Sequence, residues 1–175
     1  MKRYALVIDE EACWGCKTCE VACKQEFNPP DGVTLIRVWE DGPKMVGGRL
    51  SFVFRVNVCR HCEDPPCAEV CPAEAISKRD DGIVILDEQE CTGCGQCVDA
   101  CPFDSVTFDS DKNVARKCNL CYERVDKGLL PACADNVCLA HCIHFGEREK
   151  VTTRLDERCR RSESTENASV VSEPA

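Results

Sequence analysis

The chain has 175 residues, and 18 of them are cysteine, about one in ten, the density at which thiols rather than a packed apolar core hold a fold together. With only 2 Trp, 2 Tyr and 6 Phe there is little large apolar surface to bury. Lys+Arg 22 against Asp+Glu 31 leaves a net charge of −9, which excludes nucleic acid as an expected partner, and no run approaches the ~18 apolar residues of a membrane span, so no direct membrane insertion is expected.

In chain order, Val7-Ile8 reads as a short strand that passes through Asp9-Glu10-Glu11-Ala12 into a first thiol group, Cys13-x2-Cys16-x2-Cys19-x3-Cys23. A helix is predicted over 20–26, near the last thiol of that group. Val33 to Trp39 and Leu50 to Val58 are β-branched and apolar, with Asp41-Gly42-Pro43 and Gly47-Gly48 between them, the pattern of a hairpin. The second group follows: Cys59-x2-Cys62-x4-Cys67-x3-Cys71-Pro72. Asp80-Asp81-Gly82 then turns the chain from Ile76-Ser77-Lys78 into a strand at Ile83-Val84-Ile85-Leu86. Ile85-Leu86-Asp87-Glu88-Gln89-Glu90 repeats the first lead-in and opens the third group, Cys91-x2-Cys94-x2-Cys97-x3-Cys101-Pro102. The text after the second and third groups also repeats, Cys71-Pro72-Ala73-Glu74-Ala75-Ile76 beside Cys101-Pro102-Phe103-Asp104-Ser105-Val106. The fourth group is Cys118-x2-Cys121-x11-Cys133-x4-Cys138, with a helix predicted over 119–126. Beyond about Lys150 the apolar periodicity ends, and residues 151–175 are expected to form a flexible tail.

The opening apolar stretch is too short for a signal peptide, so a cytoplasmic setting is expected. Thiols stay reduced there and serve metals rather than disulfides. The first and third groups have the bacterial ferredoxin spacing, in which three thiolates wrap one cubane and the fourth faces another cluster. Zinc ribbons are the competing use of Cys-x2-Cys pairs, but four thiols within eleven residues suit a cubane better than one tetrahedral ion. Residues 57–110 therefore read as a complete two-cluster module. Residues 1–56 and 111–150 read as an outer two-cluster module around it, and together they make a four-cluster domain over 1–150. The expected class is α+β: tandem, nested two-cluster ferredoxin-like modules, with short β ribbons and short helices around a line of iron-sulfur clusters.

Over about residues 3 to 148 the chain resembles the four-cluster iron-sulfur subunits of molybdenum- and tungsten-dependent oxidoreductases, of the dimethyl sulfoxide and polysulfide reductase type. The residues that carry the resemblance are Cys13-Trp14-Gly15-Cys16-Lys17-Thr18-Cys19-Glu20-Val21-Ala22-Cys23-Lys24, Cys59-Arg60-His61-Cys62-Glu63-Asp64-Pro65-Pro66-Cys67, Cys118-Asn119-Leu120-Cys121, Pro131-Ala132-Cys133 and Phe145-Gly146. The resemblance implies four 4Fe-4S clusters. Their ligands would be Cys13, Cys16, Cys19 with Cys138; Cys118, Cys121, Cys133 with Cys23; Cys59, Cys62, Cys67 with Cys101; and Cys91, Cys94, Cys97 with Cys71. One departure is the four residues between Cys133 and Cys138, where the family has three. Counting back from Phe145-Gly146 places Cys138 on the ligand and Cys142 where relatives carry Ala, with Cys142 as the alternative ligand. The compact length is similar to the small subunits of tungsten aldehyde oxidoreductases, including the class that reduces benzoyl-coenzyme A.

The implied function is electron transfer to or from a large tungsten- or molybdenum-containing catalytic subunit in a cytoplasmic complex of anaerobic metabolism, with room for further redox subunits. The competing function is a free, diffusing polyferredoxin-like carrier. No catalytic centre is visible: His61, His141 and His144 lack nucleophile partners and are expected beside ligands or at the surface. Trp14 is expected to pack against its cluster, Arg116-Lys117 to be a solvated pair, Gly15, Gly93 and Gly95 to allow tight ligand loops, and Cys159 to be a free thiol in the tail. The acidic balance predicts low-potential clusters.

Overall fold

The computed structural model describes residues 2–153 and 156; Cys159 and nearly all of the expected tail lie outside them. Residues 148–153 are helical and Val151 is buried, because Val151 packs on Gly146: a Cβ there would stand 2.9 Å from the valine methyl.

Four two-stranded antiparallel ribbons carry the ligand loops. β1 (Tyr4–Ile8) pairs with β8 (Ile143–Glu147) in the register Tyr4↔Glu147, so the two ends of the described chain meet, with Tyr4 stacked on Phe145 at 5.3 Å. β2 (Ile36–Val46) and β3 (Arg49–Val58) form the expected hairpin. Its turn is Gly47-Gly48, both with positive φ, as the tight hairpin turn that matches strand twist requires. The expected break at Asp41-Gly42-Pro43 is instead a bulge inside β2, where the register shifts between Asp41 and Lys44. β4 (Ile76–Lys78) pairs with β5 (Val84–Leu86) across the expected turn, closed by the Gly82 N–H on the Arg79 carbonyl at 2.9 Å. β6 (Val106–Asp109) pairs with β7 (Val114–Lys117), a ribbon whose start the repeat ending at Val106 marks but whose turn and second strand the sequence reading did not place.

α1 is Thr18–Phe27, and three helices of one turn follow: α2 Pro66–Glu69, α3 Gln96–Asp99 and α4 Tyr122–Val125. The first and last overlap the helices predicted over 20–26 and 119–126, but each helix begins just before the third thiol of its group, or just after Cys121, and none starts at the fourth. Pro72 and Pro102 follow the fourth thiols of the second and third groups and stop α2 and α3 from growing. Lys24 stands in that place in the first group, and α1 runs on to Asn28, whose left-handed N–H caps the Lys24 carbonyl.

Burial falls into two bodies. One joins Val33, Leu35, Ile36, Val38 and Val58 of the hairpin region to thiols of the first and fourth groups. The other joins Ile76, Val84, Val106 and Ala115 of two ribbons to Cys67 and Cys97. At their border Asn57 donates to the carbonyls of Phe103 and Asp104 and accepts from Ser105 Oγ at 2.7 Å. Among the described residues, no helix is long and apolar enough to cross a membrane.

Candidate iron-sulfur centres

Each thiol group hangs from the end of a strand: β1 leads to Cys13, β3 to Cys59, β5 to Cys91 and β7 to Cys118. In all four loops the residue two past the first thiol is left-handed: Gly15, His61, Gly93 and Leu120. That reversal folds Cys-x2-Cys back on itself and points both sulfurs to one side. Glycine suits it without strain, and Gly93 is needed twice over, because a Cβ there would meet the Asn113 carbonyl oxygen at 2.3 Å.

The thiols meet across groups. Cys19 faces Cys138 and Cys13, and burial first, then the Glu20 charge and those thiols, push it up to about 12. Cys16 accepts from the Leu139 N–H beside Cys138, and its contact with Thr18 Oγ1 at 3.0 Å leads the causes holding it below the usual thiol value. Cys23 and Cys133 face each other's neighbourhood through Cys118 and Cys121, and burial drives both well above the ordinary thiol range. Cys67 and Cys62 both face Cys59 and Cys101. Cys97 faces Cys91 and Cys71, and burial raises it to about 11; a cavity is lined by Cys71, Cys91, Cys94 and Cys97 together. Other thiol neighbours extend the line further: Cys23 and Cys133 reach Cys19, Cys118 reaches Cys59, and Cys97 reaches Cys67.

Crowded, buried thiols cannot all ionise without a cation to neutralise them. Four thiols within eleven residues suit a cubane better than a single tetrahedral zinc ion, which is held by separated Cys pairs. The sets also carry a feature suited to iron-sulfur ligands, backbone N–H groups aimed at sulfur. Ser105 N donates to Cys101 Sγ, Leu120 N to Cys118, Ala132 N to Cys121 and Cys142 N to Cys138, each at 3.4 Å, and Ala115 N to Cys91 at 3.5 Å. The residues present fit 4Fe-4S clusters.

Three neighbours of the thiols differ from expectation. Trp14 is 66% exposed, because the left-handed Gly15 packs its Cα side on the Phe54 ring and leaves the indole outside. Arg116 and Lys117 are 7% and 5% exposed, buried rather than solvated. Arg116 pairs with Glu88 at 3.0 Å and with the fully buried Asp109 at 3.0 Å. Lys117 Nζ donates to the carbonyls of Val84 and Cys118, and its charge also bears on Cys67 and Cys118. The cation is thus held between two thiol sets. Its only sequence signal was a basic pair ahead of Cys118. His61 lies beside it, accepts the Val84 N–H on Nδ1 at 3.0 Å, and is kept neutral by burial and then by Lys117, down to about 3. In the fourth group the extra residue is taken up by a loop with Asn136 left-handed.

Ferredoxin-type thiol loops on short antiparallel ribbons define a polycluster iron-sulfur electron-transfer protein. Residues 50–148 match the family described as a 4Fe-4S dicluster domain, and residues 6–27 match the 4Fe-4S binding domain. The sequence is 40% identical to the B subunit of tetrathionate reductase from Salmonella typhimurium, over 87% of this chain and 61% of the relative. It is 36% identical to the B component of polysulfide reductase from Wolinella succinogenes, over 89% and 82%, and 36% identical to the B component of anaerobic dimethyl sulfoxide reductase from Haemophilus influenzae, over 88% and 78%. This protein belongs to the 4Fe-4S beta-subunit family of molybdenum oxidoreductases, and its cofactors are four 4Fe-4S clusters.

Proposed function

We propose that this chain is the electron wire of a cytoplasmic oxidoreductase complex, relaying electrons to or from a large molybdenum- or tungsten-containing catalytic subunit. Bound 4Fe-4S clusters supply one-electron acceptance and release; the chain's own residues space them, exclude water and set their potentials. In this reading Cys13, Cys16, Cys19 and Cys138 hold the first cluster and Cys23, Cys118, Cys121 and Cys133 the next. Cys59, Cys62, Cys67 and Cys101 hold the third, and Cys71, Cys91, Cys94 and Cys97 the last. Residues 57–110 then form a central module nested inside an outer one made of 1–56 and 111–150.

The observation that carries the reading is the exposure of thiols along that line. Among the described cysteines only Cys16 and Cys94 are exposed, and they belong to the two end sets, where electrons must enter and leave. A further support for a bound partner is the apolar surface left open on the hairpin tip, at Met45, Val46, Leu50 and Phe52.

Anaerobic purification through this chain, with metal analysis and identification of co-eluting subunits, tests the proposal. The expected result is a large chain carrying molybdenum or tungsten, with iron for four cubanes in this subunit. A brown protein eluting alone, with neither heavy metal, would make it a free carrier. The heavy metal found, and the substrate that the large subunit reduces or oxidises, would decide between the dimethyl sulfoxide and polysulfide type and the tungsten aldehyde or benzoyl-coenzyme A type.

A further inference from the structure

Three segments that follow a fourth thiol share one turn. The third residue after Cys71, Cys101 and Cys138 returns its N–H to that cysteine's carbonyl, from Glu74 at 3.2 Å, Asp104 at 3.2 Å and His141 at 3.0 Å. The same three residues are left-handed, with φ of 52°, 50° and 50°. Each is followed by a buried small residue, Ala75, Ser105 or Cys142, and then by β4, β6 or β8. The lead-in strand closes the turn alike in two of them, with Asp87 N on the Ala75 carbonyl and Asp9 N on the Cys142 carbonyl, both at 2.8 Å. Ser105 N and Cys142 N each aim at the preceding fourth sulfur. By this register Cys138 is the counterpart of Cys71 and Cys101, and Cys142 is the counterpart of Ala75 and Ser105.

What fills the small-residue place differs. Ala75 has no reactive atom there, and the Ser105 hydroxyl is engaged with Asn57 and the Phe103 carbonyl. Cys142 instead puts a buried sulfur 3.4 Å from Cys138 Sγ and within hydrogen-bond reach of Cys13. The set around Cys13 thus has five thiols for four corners.

We propose that Cys142 is a reserve ligand for the cluster held by Cys13, Cys16 and Cys19, able to take the corner that Cys138 normally fills; this rests on the four-cluster reading above. In the exchange the Cys142 thiol gives up its proton and forms an iron–sulfur bond, while the bond from Cys138 breaks and its sulfur takes up a proton. Neither iron nor sulfur changes oxidation state. The corner served this way belongs to an end set whose Cys16 is exposed, the place where damage from solvent arrives first.

The test compares wild type, Cys138→Ala, Cys142→Ala, Cys142→Ser and the double variant Cys138→Ala/Cys142→Ala. Each is purified anaerobically as the full chain and read by iron per chain and by electron paramagnetic resonance of the reduced protein. Both single positions are expected to keep the full iron complement, with Cys138→Ala shifting the signal of one cluster, and the double variant to lose the iron of one cluster. Loss of that iron in Cys138→Ala alone would overturn the reserve role. Its loss in the Cys142 variants with Cys138→Ala intact would reverse the two roles and overturn the assignment, and an intact double variant would remove both residues from the corner. The signals of the other three clusters report whether each variant folds, and absence of four-cluster iron in the wild type would sink the underlying reading instead.

Discussion

The first and third thiol groups are the same device with different faces. Each has thiols at the same spacing, a left-handed glycine before its second thiol (Gly15, Gly93), a left-handed residue after it (Lys17, Gly95) and a helix holding the third. At the outward positions they part: Trp14 stands where the other has Thr92, Lys17 where it has Gly95, and Val21 where it has Asp99. Trp14, Val21 and nearby Leu139 are 66%, 54% and 58% exposed. One end of the proposed wire therefore presents an apolar face beside Lys17, and the other a small, acidic one with Asp99 and Glu90. Spacing and backbone fix the cradle, and the residues between the ligands are left to choose what docks against it.

Five sets of substitutions break or sharpen that comparison. The largest effect is expected from Cys101→Ala: although it lies in the third run, the cluster lost should be that of Cys59, Cys62 and Cys67, with the Cys91 cluster retained. Electron paramagnetic resonance checks this, and loss of the Cys91 cluster alone would refute the exchange of ligands between runs. Next is the arginine that each lead-in glutamate holds. Glu88 pairs with buried Arg116 and Glu10 with exposed Arg55, at 3.0 and 2.7 Å. Arg116→Met should cost about 3–5 kcal/mol in denaturant unfolding, because Asp109 is left buried and unpaired, whereas Arg55→Met should barely move the midpoint.

The glycines come third. Gly93→Ala should cost about 2–4 kcal/mol, from left-handed strain plus collision with the Asn113 backbone. Gly15→Ala should cost about half of that, since the Phe54 ring it meets can swing away. Fourth, Trp14→Ala and Val21→Asp should leave stability within about 0.5 kcal/mol yet weaken binding to the catalytic subunit about tenfold. Thr92→Ala and Asp99→Ala should leave that affinity unchanged, as titration calorimetry of the separated subunits would show.

The smallest effect concerns acid. Burial works against the Glu10 carboxylate, but the Val56 N–H and Arg55 outweigh it and hold the group below its ordinary value. A lowered folded value contributes stability that is present above the unfolded carboxyl value of about 4.3 and is lost as pH falls through the folded value. Glu10→Gln should therefore lower the denaturant midpoint slightly near neutral pH, with the gap to wild type closing below about pH 4.

The thiol groups, the strands leading into them, the Gly47-Gly48 hairpin and the Asp80-Asp81-Gly82 turn were legible because each is a local pattern. The burial of Arg116 was not, since its partner Asp109 lies across a ribbon whose second strand was not predicted and Glu88 lies 28 residues away. Nor was the orientation of Trp14, which is set by a ring on β3. The length of α1 could have been read from the missing proline after Cys23. The β1–β8 pairing joins segments too distant for any local signal.

That last pairing also has a meaning in time. As the polypeptide leaves the ribosome, β4–β5 and β6–β7 can close while β1 still waits for β8, about 140 residues behind it, roughly seven to thirty seconds at ordinary rates of synthesis. Of the four ribbons, the one between β1 and β8 is the last that can close. Until β8 emerges, β1 lacks its partner strand while the middle ribbons can already be closed, so a product cut short before β8 leaves the first thiol loop without the ribbon that backs it.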